Sequence, residues 1–361
     1  MKIAVYAIAK NEIDNVDEWV ANLKDADGIF VLDTGSTDGT PQRLTELGVH
    51  CNYRNIAKPF RFDHARNESL GFVPSDYDVC LSIDFDERLQ PDWRAVLEQH
   101  FKGGIANYNL IFDYDEFGNV ITAYPRCAIH DRHANAVWKY AAHEILTSPT
   151  LQAYNIPIMC VHNPKEQKAP GHYIELLKID VVENPADARA HQYLAREFAY
   201  LQNWQQSLIH YNRHLELETY EPFRSETYGV LGQIAEKTGQ DPEPSYYKAI
   251  GEFPYVREPF CMLANYYYTR KLYPAVIGLM ERAILIKKPE INYIFREDYY
   301  THWCHHMLFI CYYAMNDEYN ARLHMTKAFE ACDGEVNQRL LADALSTGLL
   351  NVDQSVSSEQ Q

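Results

Sequence analysis

The feature that most constrains this chain is a recurrence in its second half. Tyr193-Leu194-Ala195 with Trp204 and Ser207, Tyr228-Gly229-Val230, and Met262-Leu263-Ala264 with Tyr273 and Ala275 follow one another at intervals of 35 and 34 residues. A fourth unit, Tyr312-Tyr313-Ala314 with Tyr319 and Ala321, comes after an insertion near 288–300. Asn184-Pro185-Ala186-Asp187 is a fitting lead-in to the array. A period of this length predicts paired helices, each pair burying its apolar face only by stacking on its neighbours. The abundant tyrosines of this half are expected in that packing rather than on a base-stacking surface.

The first 100 residues follow a different rule, alternating strand and helix signals. Ile3–Ala9 and Gly28–Asp33 are apolar runs of strand length, and Tyr77–Ile83 is a third. Between them, Asn15–Lys24 places Val16, Trp19, Val20 and Leu23 on one helical face, Pro41 opens a helix through Leu47, and Asp63–Leu70 is a short helix. This βαβαβ order predicts a mostly parallel sheet with ligands at the carboxyl ends of its strands. Residues 104–160 read as shorter strands and loops, including Asn107–Asp113 and Val120–Tyr124. The expected division is a catalytic domain over 1–168, an all-α repeat domain over 169–350, and a disordered polar tail over 351–361.

Composition narrows the function classes. The 361 residues carry 33 Lys+Arg against 50 Asp+Glu, a net charge of −17. The acid excess is shared by both halves, so no basic arm or stripe marks nucleic-acid binding. No apolar run has the length of a membrane span, and Met1-Lys2-Ile3-Ala4-Val5 enters a strand pattern without the form of a signal peptide. The eight cysteines are scattered with no CxxC pair, which predicts reduced thiols and a cytoplasmic protein.

Chemistry concentrates in three places. The apolar strand before Asp84-Phe85-Asp86-Glu87 carries two carboxylates to the sheet edge, and strand alternation would put residues 84 and 86 on one side. Two hard oxygen ligands there can hold Mg²⁺ or Mn²⁺ while substrate phosphates complete the shell; a solvated acidic turn is the plainer alternative. Asp33, at the end of a strand and ahead of Thr34-Gly35-Ser36-Thr37-Asp38-Gly39-Thr40, can accept from a base N–H or a ribose hydroxyl, or cap the turn. In Phe62-Asp63-His64-Ala65-Arg66-Asn67, Arg66 suits a phosphate or base carbonyl, or a surface ion pair.

Together these runs, with Ala7-Ile8-Ala9-Lys10-Asn11-Glu12, resemble glycosyltransferase family 2 in order and spacing. The resemblance continues through Pro125-Arg126 and Ala142–Leu146 to Ile158–His162. It is similar to the bacterial branch in which this domain precedes tetratricopeptide-like repeats, and so covers nearly the whole chain. The resemblance implies a glycosyltransferase A fold and transfer, with inversion, from a nucleoside-diphosphate sugar, a UDP-sugar above all, to a hydroxyl or thiol. It implies a nucleotide-binding set of Ala7, Ala9, Asn11, Asp33, Arg66 and Asp84. Asp86 would ligate Mn²⁺ or Mg²⁺, with Asp84 and His162 as further candidate ligands, and the metal would offset charge on the leaving diphosphate. Glu144 is the candidate base, with His143 orienting the acceptor or leaving group. The family's more usual Glu-Asp base motif is not evident here. The expected acceptor is extended or macromolecular, a peptide, protein, glycan or modified nucleic acid, and the repeats also suit self-association.

Two other classes compete. The chain could be an interaction protein that docks partners on its repeats beside an inactive nucleotide-sugar domain. It could instead be a nucleotidyltransferase, although Ala7–Glu12 has no glycine for a triphosphate loop.

Overall fold

A computed structural model describes residues 1–54, 58–114, 120–163, 171–291, 293–332 and 337–350; the expected tail, 351–361, lies outside them. The chain forms two compact units, one of residues 1–112 with 123–214, the other of residues 113–122 with 215–361.

The first unit is built on a mixed sheet. Its strands are β1 (Ile3–Ala9), β2 (Gly28–Asp33), β3 (His50–Tyr53), β4 (Val79–Ser82), β5 (Glu87–Leu89), β6 (Ile105–Tyr114), β7 (Val120–Asp131) and β10 (Tyr154–His162), in the spatial order β3-β2-β1-β4-β7-β6-β10-β5. A separate antiparallel ribbon pairs β8 (Val137–Lys139) with β9 (Ile145–Thr147). The stretch β3-β2-β1-β4 is parallel, as the alternation predicts. β7 then runs antiparallel to β4 and β5 antiparallel to β10, while β10 is parallel to β6. The sheet is therefore mixed beyond β4.

β1 and β4 are apolar almost throughout because both of their faces are covered. Helices α1 (Ile13–Asn22), α2 (Thr40–Glu46), α3 (Phe62–Gly71) and α4 (Trp93–His100) accompany the sheet. Val16 and Trp19 of α1 and Trp93 and Leu97 of α4 join the strands in one core. Trp19 stacks on Phe85 at 4.3 Å between ring centroids, anchoring the segment between β4 and β5. The expected short elements over 104–160 turn out longer: β6 has 10 residues and β7 has 12.

Helices follow from Ile174 onward: α5 (Ile174–Glu183), α6 (Ala188–Tyr200), α7 (Trp204–Leu217), α8 (Glu221–Lys237), α9 (Glu243–Glu252), α10 (Glu258–Thr269), α11 (Tyr273–Ala283), α12 (Glu297–Tyr300), α13 (Trp303–Ala314), α14 (Glu318–Glu330) and α15 (Gln338–Ser346). Four of their turns are alike. Asn203, Gln240, Leu272 and Asp317 donate their amides to the carbonyls of Phe198, Ala235, Tyr267 and Tyr312 at 2.8–3.0 Å. The residue before each donor has positive φ: Gln202 at 56°, Gly239 at 71°, Lys271 at 58° and Asn316 at 62°. This six-to-one closure with a left-handed residue ends the first helix of each pair.

These turns lie 37, 32 and 45 residues apart, so the repeat is less even than 35 and 34. α8 is lengthened to 17 residues, and α12 is inserted before the last pair. Counted from the turns, the residues equivalent to Tyr193 are Val230, Met262 and Met307, so the second anchor shifts two residues from Tyr228 and the fourth is not Tyr312. Among the described residues no helix is long and apolar enough to cross a membrane.

Candidate functional site

Four strand ends, of β1, β2, β4 and β10, carry most of the predicted residues, with Arg66 on α3 and His143 and Glu144 just before β9. At the end of β2, Asp33 is wholly buried. Its Oδ1 accepts from the amides of Gly35 and Ser36, both at 3.0 Å, which shapes the turn that follows. Its Oδ2 is shielded from solvent and accepts no hydrogen bond among the described residues. A buried carboxylate oxygen without a donor is costly, and a ligand N–H or O–H would satisfy it once the adjoining turn yields.

The neighbouring end of β1 is tied to the same turn. The Ala9 carbonyl accepts from both the amide and the hydroxyl of Thr34, and the Ala7 carbonyl accepts from the Ser69 hydroxyl of α3. Asn11, in the left-handed region at φ 59°, receives the Thr37 amide on its side-chain oxygen and donates its own amide to Ser36 Oγ. Its side chain thus orders the loop.

After β4 the chain does not continue extended. The Glu87 amide donates to the Asp84 carbonyl at 3.0 Å, and residues 85–86 form a turn. The two aspartates consequently aim at different partners, contrary to the alternation expected for a strand. Asp84 receives Arg66 through Nη1 at 2.8 Å and Nη2 at 3.0 Å, and Arg126 through Nη2 at 2.8 Å. Burial favours its neutral form, but two guanidinium groups overcome this and hold the carboxyl well below the usual range.

Asp86, about a third exposed, faces His162 at the end of β10, with Oδ2 3.3 Å from Nε2. The pairing of His162 with Glu87 between β10 and β5 delivers the imidazole to that point. Burial works against the imidazolium, yet the Asp86 carboxylate raises the His162 pKa above its ordinary value. Phe112 stacks on the His162 ring at 4.7 Å and 4°.

Arg66 is the hub. It is 4% exposed, lies over the Trp138 ring at 4.9 Å, donates to Ser82 Oγ at 3.1 Å and pairs through Nε with Glu144. The structure therefore brings Arg66, Asp84 and Glu144 together, and separately Asp86 and His162. His143, beside Glu144, turns elsewhere: its ring packs on Tyr193 at 4.5 Å and edge-on to Tyr173 at 5.1 Å.

Sequence reasoning leaves out two residues of the cluster. Glu87 is fully buried, where it accepts from the Asp84 amide and the Tyr108 hydroxyl and pairs with Arg126. Its carboxyl pKa is raised by burial, against the pull of Arg126. Arg126 bridges Glu87 and Asp84; the Pro125-Arg126 dipeptide was the available signal.

Among the described residues no group of three or more His, Cys, Asp and Glu side chains is disposed to hold a metal. Asp86 and His162 supply an oxygen and a nitrogen, a set that fits Mn²⁺ or Mg²⁺ when phosphate oxygens complete the shell.

No family model matches the chain. A TPR repeat-containing protein of Synechococcus elongatus is 29% identical over 99 residues, 27% of this chain and 24% of that relative. The match thus spans about a quarter of the relative's length. Solved structures with likeness include MamA (TM-score 0.35, 15% identity, 44% of this chain and 86% of that one). Others are MamA 41-end from Desulfovibrio magneticus RS-1 (0.36, 16%, 46% and 88%) and YrrB, a TPR protein with an unusual peptide-binding site (0.37, 15%, 49% and 84%). Likenesses this remote carry no argument about what this chain binds. The helical region is a tetratricopeptide-like repeat array, by its four recurrent turns and its curated relative.

Proposed function

We propose that the chain is a metal-dependent glycosyltransferase whose sheet domain, of glycosyltransferase A type, takes a nucleoside-diphosphate sugar, UDP-linked in the first instance. The sugar would pass with inversion to a hydroxyl or thiol of an extended acceptor. The observation that carries this reading is the placement along one sheet of Asp33, with an oxygen that accepts no hydrogen bond among the described residues, the Arg66–Asp84–Arg126 cluster and the facing pair Asp86 and His162. A chain without a polar ligand has little reason to keep so many charges at low exposure.

In this reading Asp33 accepts from the base or ribose, and the carbonyl-lined end of β1, from Ala7 to Asn11, borders the nucleoside. Arg66 and Arg126 give the site a cationic wall for phosphate oxygens. Asp86 and His162 would hold Mn²⁺ or Mg²⁺, which when bound offsets charge on the departing diphosphate. Glu144 is occupied by Arg66 and becomes able to take the acceptor's proton once that guanidinium turns to the nucleotide; His143 supports the loop that presents it.

Calorimetry with UDP, with and without Mn²⁺, tests the reading on the full chain. Metal-dependent binding is expected, with Asp86→Ala weakening it at least tenfold and Asp33→Ala weakening UDP more than inorganic diphosphate. Equal UDP binding by Asp86→Ala and the parent would sink the metal assignment.

The comparisons favour a second reading, an interaction protein acting through its repeats. If no nucleoside diphosphate binds with Mn²⁺ or Mg²⁺, that reading takes precedence.

A further inference from the structure

Helix α6, the first helix of the repeat array, carries Arg189, Tyr193 and Arg196 at i, i+4 and i+7. That spacing puts all three on one face. The face packs on the loop that bears Glu144. The Tyr193 ring contacts His143, the Arg189 guanidinium donates to the His143 carbonyl at 2.6 Å, and Arg189 lies 4.7 Å from the Tyr140 ring centre. Tyr140 and His143 both have positive φ, 79° and 52°, a conformation non-glycine residues hold only when their surroundings impose it. Glu144 in turn pairs with Arg66. A repeat helix is thus mechanically continuous with the candidate site, inside one compact unit.

Arg189 and Arg196 both flank Tyr193, their guanidinium carbons 4.4 and 4.3 Å from its ring centre. Their circumstances differ. Arg189 has a carbonyl acceptor, whereas Arg196 makes no hydrogen bond or ion pair among the described residues, and its Nε is shut off from solvent without an acceptor. A guanidinium flattened on an aromatic face is preorganised, with its N–H edge left to bind a planar or tetrahedral oxyanion. Burial raises the pKa of the Tyr124 hydroxyl, two residues before Arg126 on β7, against the pull first of Arg126 and then of Arg196. Arg66 and Arg126 are already taken up by Asp84, Glu87 and Glu144, whereas Arg196 is paired to no carboxylate among the described residues.

We propose that Arg196, held on Tyr193, is an oxyanion-binding residue of the candidate site, supplied by the first repeat helix. The proposal rests on the nucleotide-sugar reading for the identity of the site. The oxyanion is a phosphate or carboxylate, either on the acceptor or in the donor's diphosphate.

Calorimetry on the full chain separates these sources, using inorganic phosphate alone, UDP with Mn²⁺, and phosphate added to the UDP·Mn²⁺ complex. Arg196→Met keeps bulk and removes charge; Arg196→Lys keeps charge and loses the stacked plane. An acceptor-side site gives phosphate binding in the presence of UDP·Mn²⁺ that Arg196→Met weakens about tenfold or more, UDP affinity being unchanged. A donor-side site gives the same loss for UDP·Mn²⁺ and no loss for uridine. Arg196→Lys lies between in either case, and it carries the test if the Met variant melts early. Arg196→Met matching the parent for both probes overturns the proposal, as does a parent that binds neither. A parent that binds phosphate through Arg196 but not UDP sinks the glycosyltransferase reading and leaves the oxyanion site standing.

Discussion

Arg66→Met is the sharpest single perturbation of the site. Arg66 is 4% exposed and serves two carboxylates, Asp84 through both terminal nitrogens and Glu144 through Nε. Removing one partner of a buried ion pair costs about 3–5 kcal/mol, because the remaining charge stays desolvated. Arg126 still reaches Asp84 at 2.8 Å in the variant, so the loss belongs at the lower end, about 3 kcal/mol at pH 7. Glu144, with a side chain 10% exposed, loses its cation. The pH response identifies the cause. In the parent, Asp84 is depressed below its unfolded value, so its stabilisation is present above about pH 4 and is lost only as pH falls further. Between pH 7 and 5 the parent is therefore flat in this respect. In the variant Asp84 keeps only Arg126, so its depression shrinks and less stability remains to be lost below about pH 4. The deficit should therefore hold steady between pH 7 and 5 and narrow as pH falls below about 4, by up to about 1.4 kcal/mol per pH unit. Urea unfolding of the sheet unit at pH 7 and pH 3, followed by tryptophan fluorescence, measures both quantities. A loss under about 1 kcal/mol, or a deficit equal at the two pH values, refutes the account of Arg66 as a charge hub.

Helix glycines give a paired prediction. A Cβ on Gly232 would lie 2.5 Å from Tyr246 Cε1, a ring buried between helices, so Gly232→Ala should destabilise by about 1–3 kcal/mol despite its better helix propensity. Gly278 has nothing within 4 Å, so Gly278→Ala should stabilise by about 1 kcal/mol; thermal unfolding of both variants checks the contrast. Acid should weaken both units. Burial lowers His130 and His305 to about 4, with His324 beside His305 adding to the effect, so the unfolded chain binds protons first as pH drops below about 6.5. Stability should fall from there to about pH 4 and then level in these two contributions; replacing His305 with Gln should flatten the slope in unfolding curves, and an unchanged slope would remove it as a cause.

What the sequence disclosed depended on how local the governing interaction is. β1 and β2 are apolar runs bounded by polar turns, and their limits in the structure match those read from the chain. The repeat was legible as a period because stacked helices need apolar residues at every turn. Its register was not, because the spacing is set by left-handed turn residues as different as Gln202, Gly239, Lys271 and Asn316, which share a φ and no side-chain chemistry.

The same distinction governs the site. Asp84 and Asp86 announced themselves as a pair, yet their directions are decided by a turn that the Glu87 amide closes and by Phe85 docking on Trp19. Arg126 reaches Asp84 across 42 residues, and it does so because β7 runs on to Asp131 instead of ending near Tyr124. Arg66 meets Glu144 across 78 residues. A motif reports chemistry that a few adjacent residues can complete; a charge cluster is completed by strand length and register. For this reason Asp33, Arg66, Asp84 and Asp86 could be named from sequence, whereas Arg126, the second cation on Asp84, and the repeat helix bearing Arg196 became visible only when the strands and helices were placed.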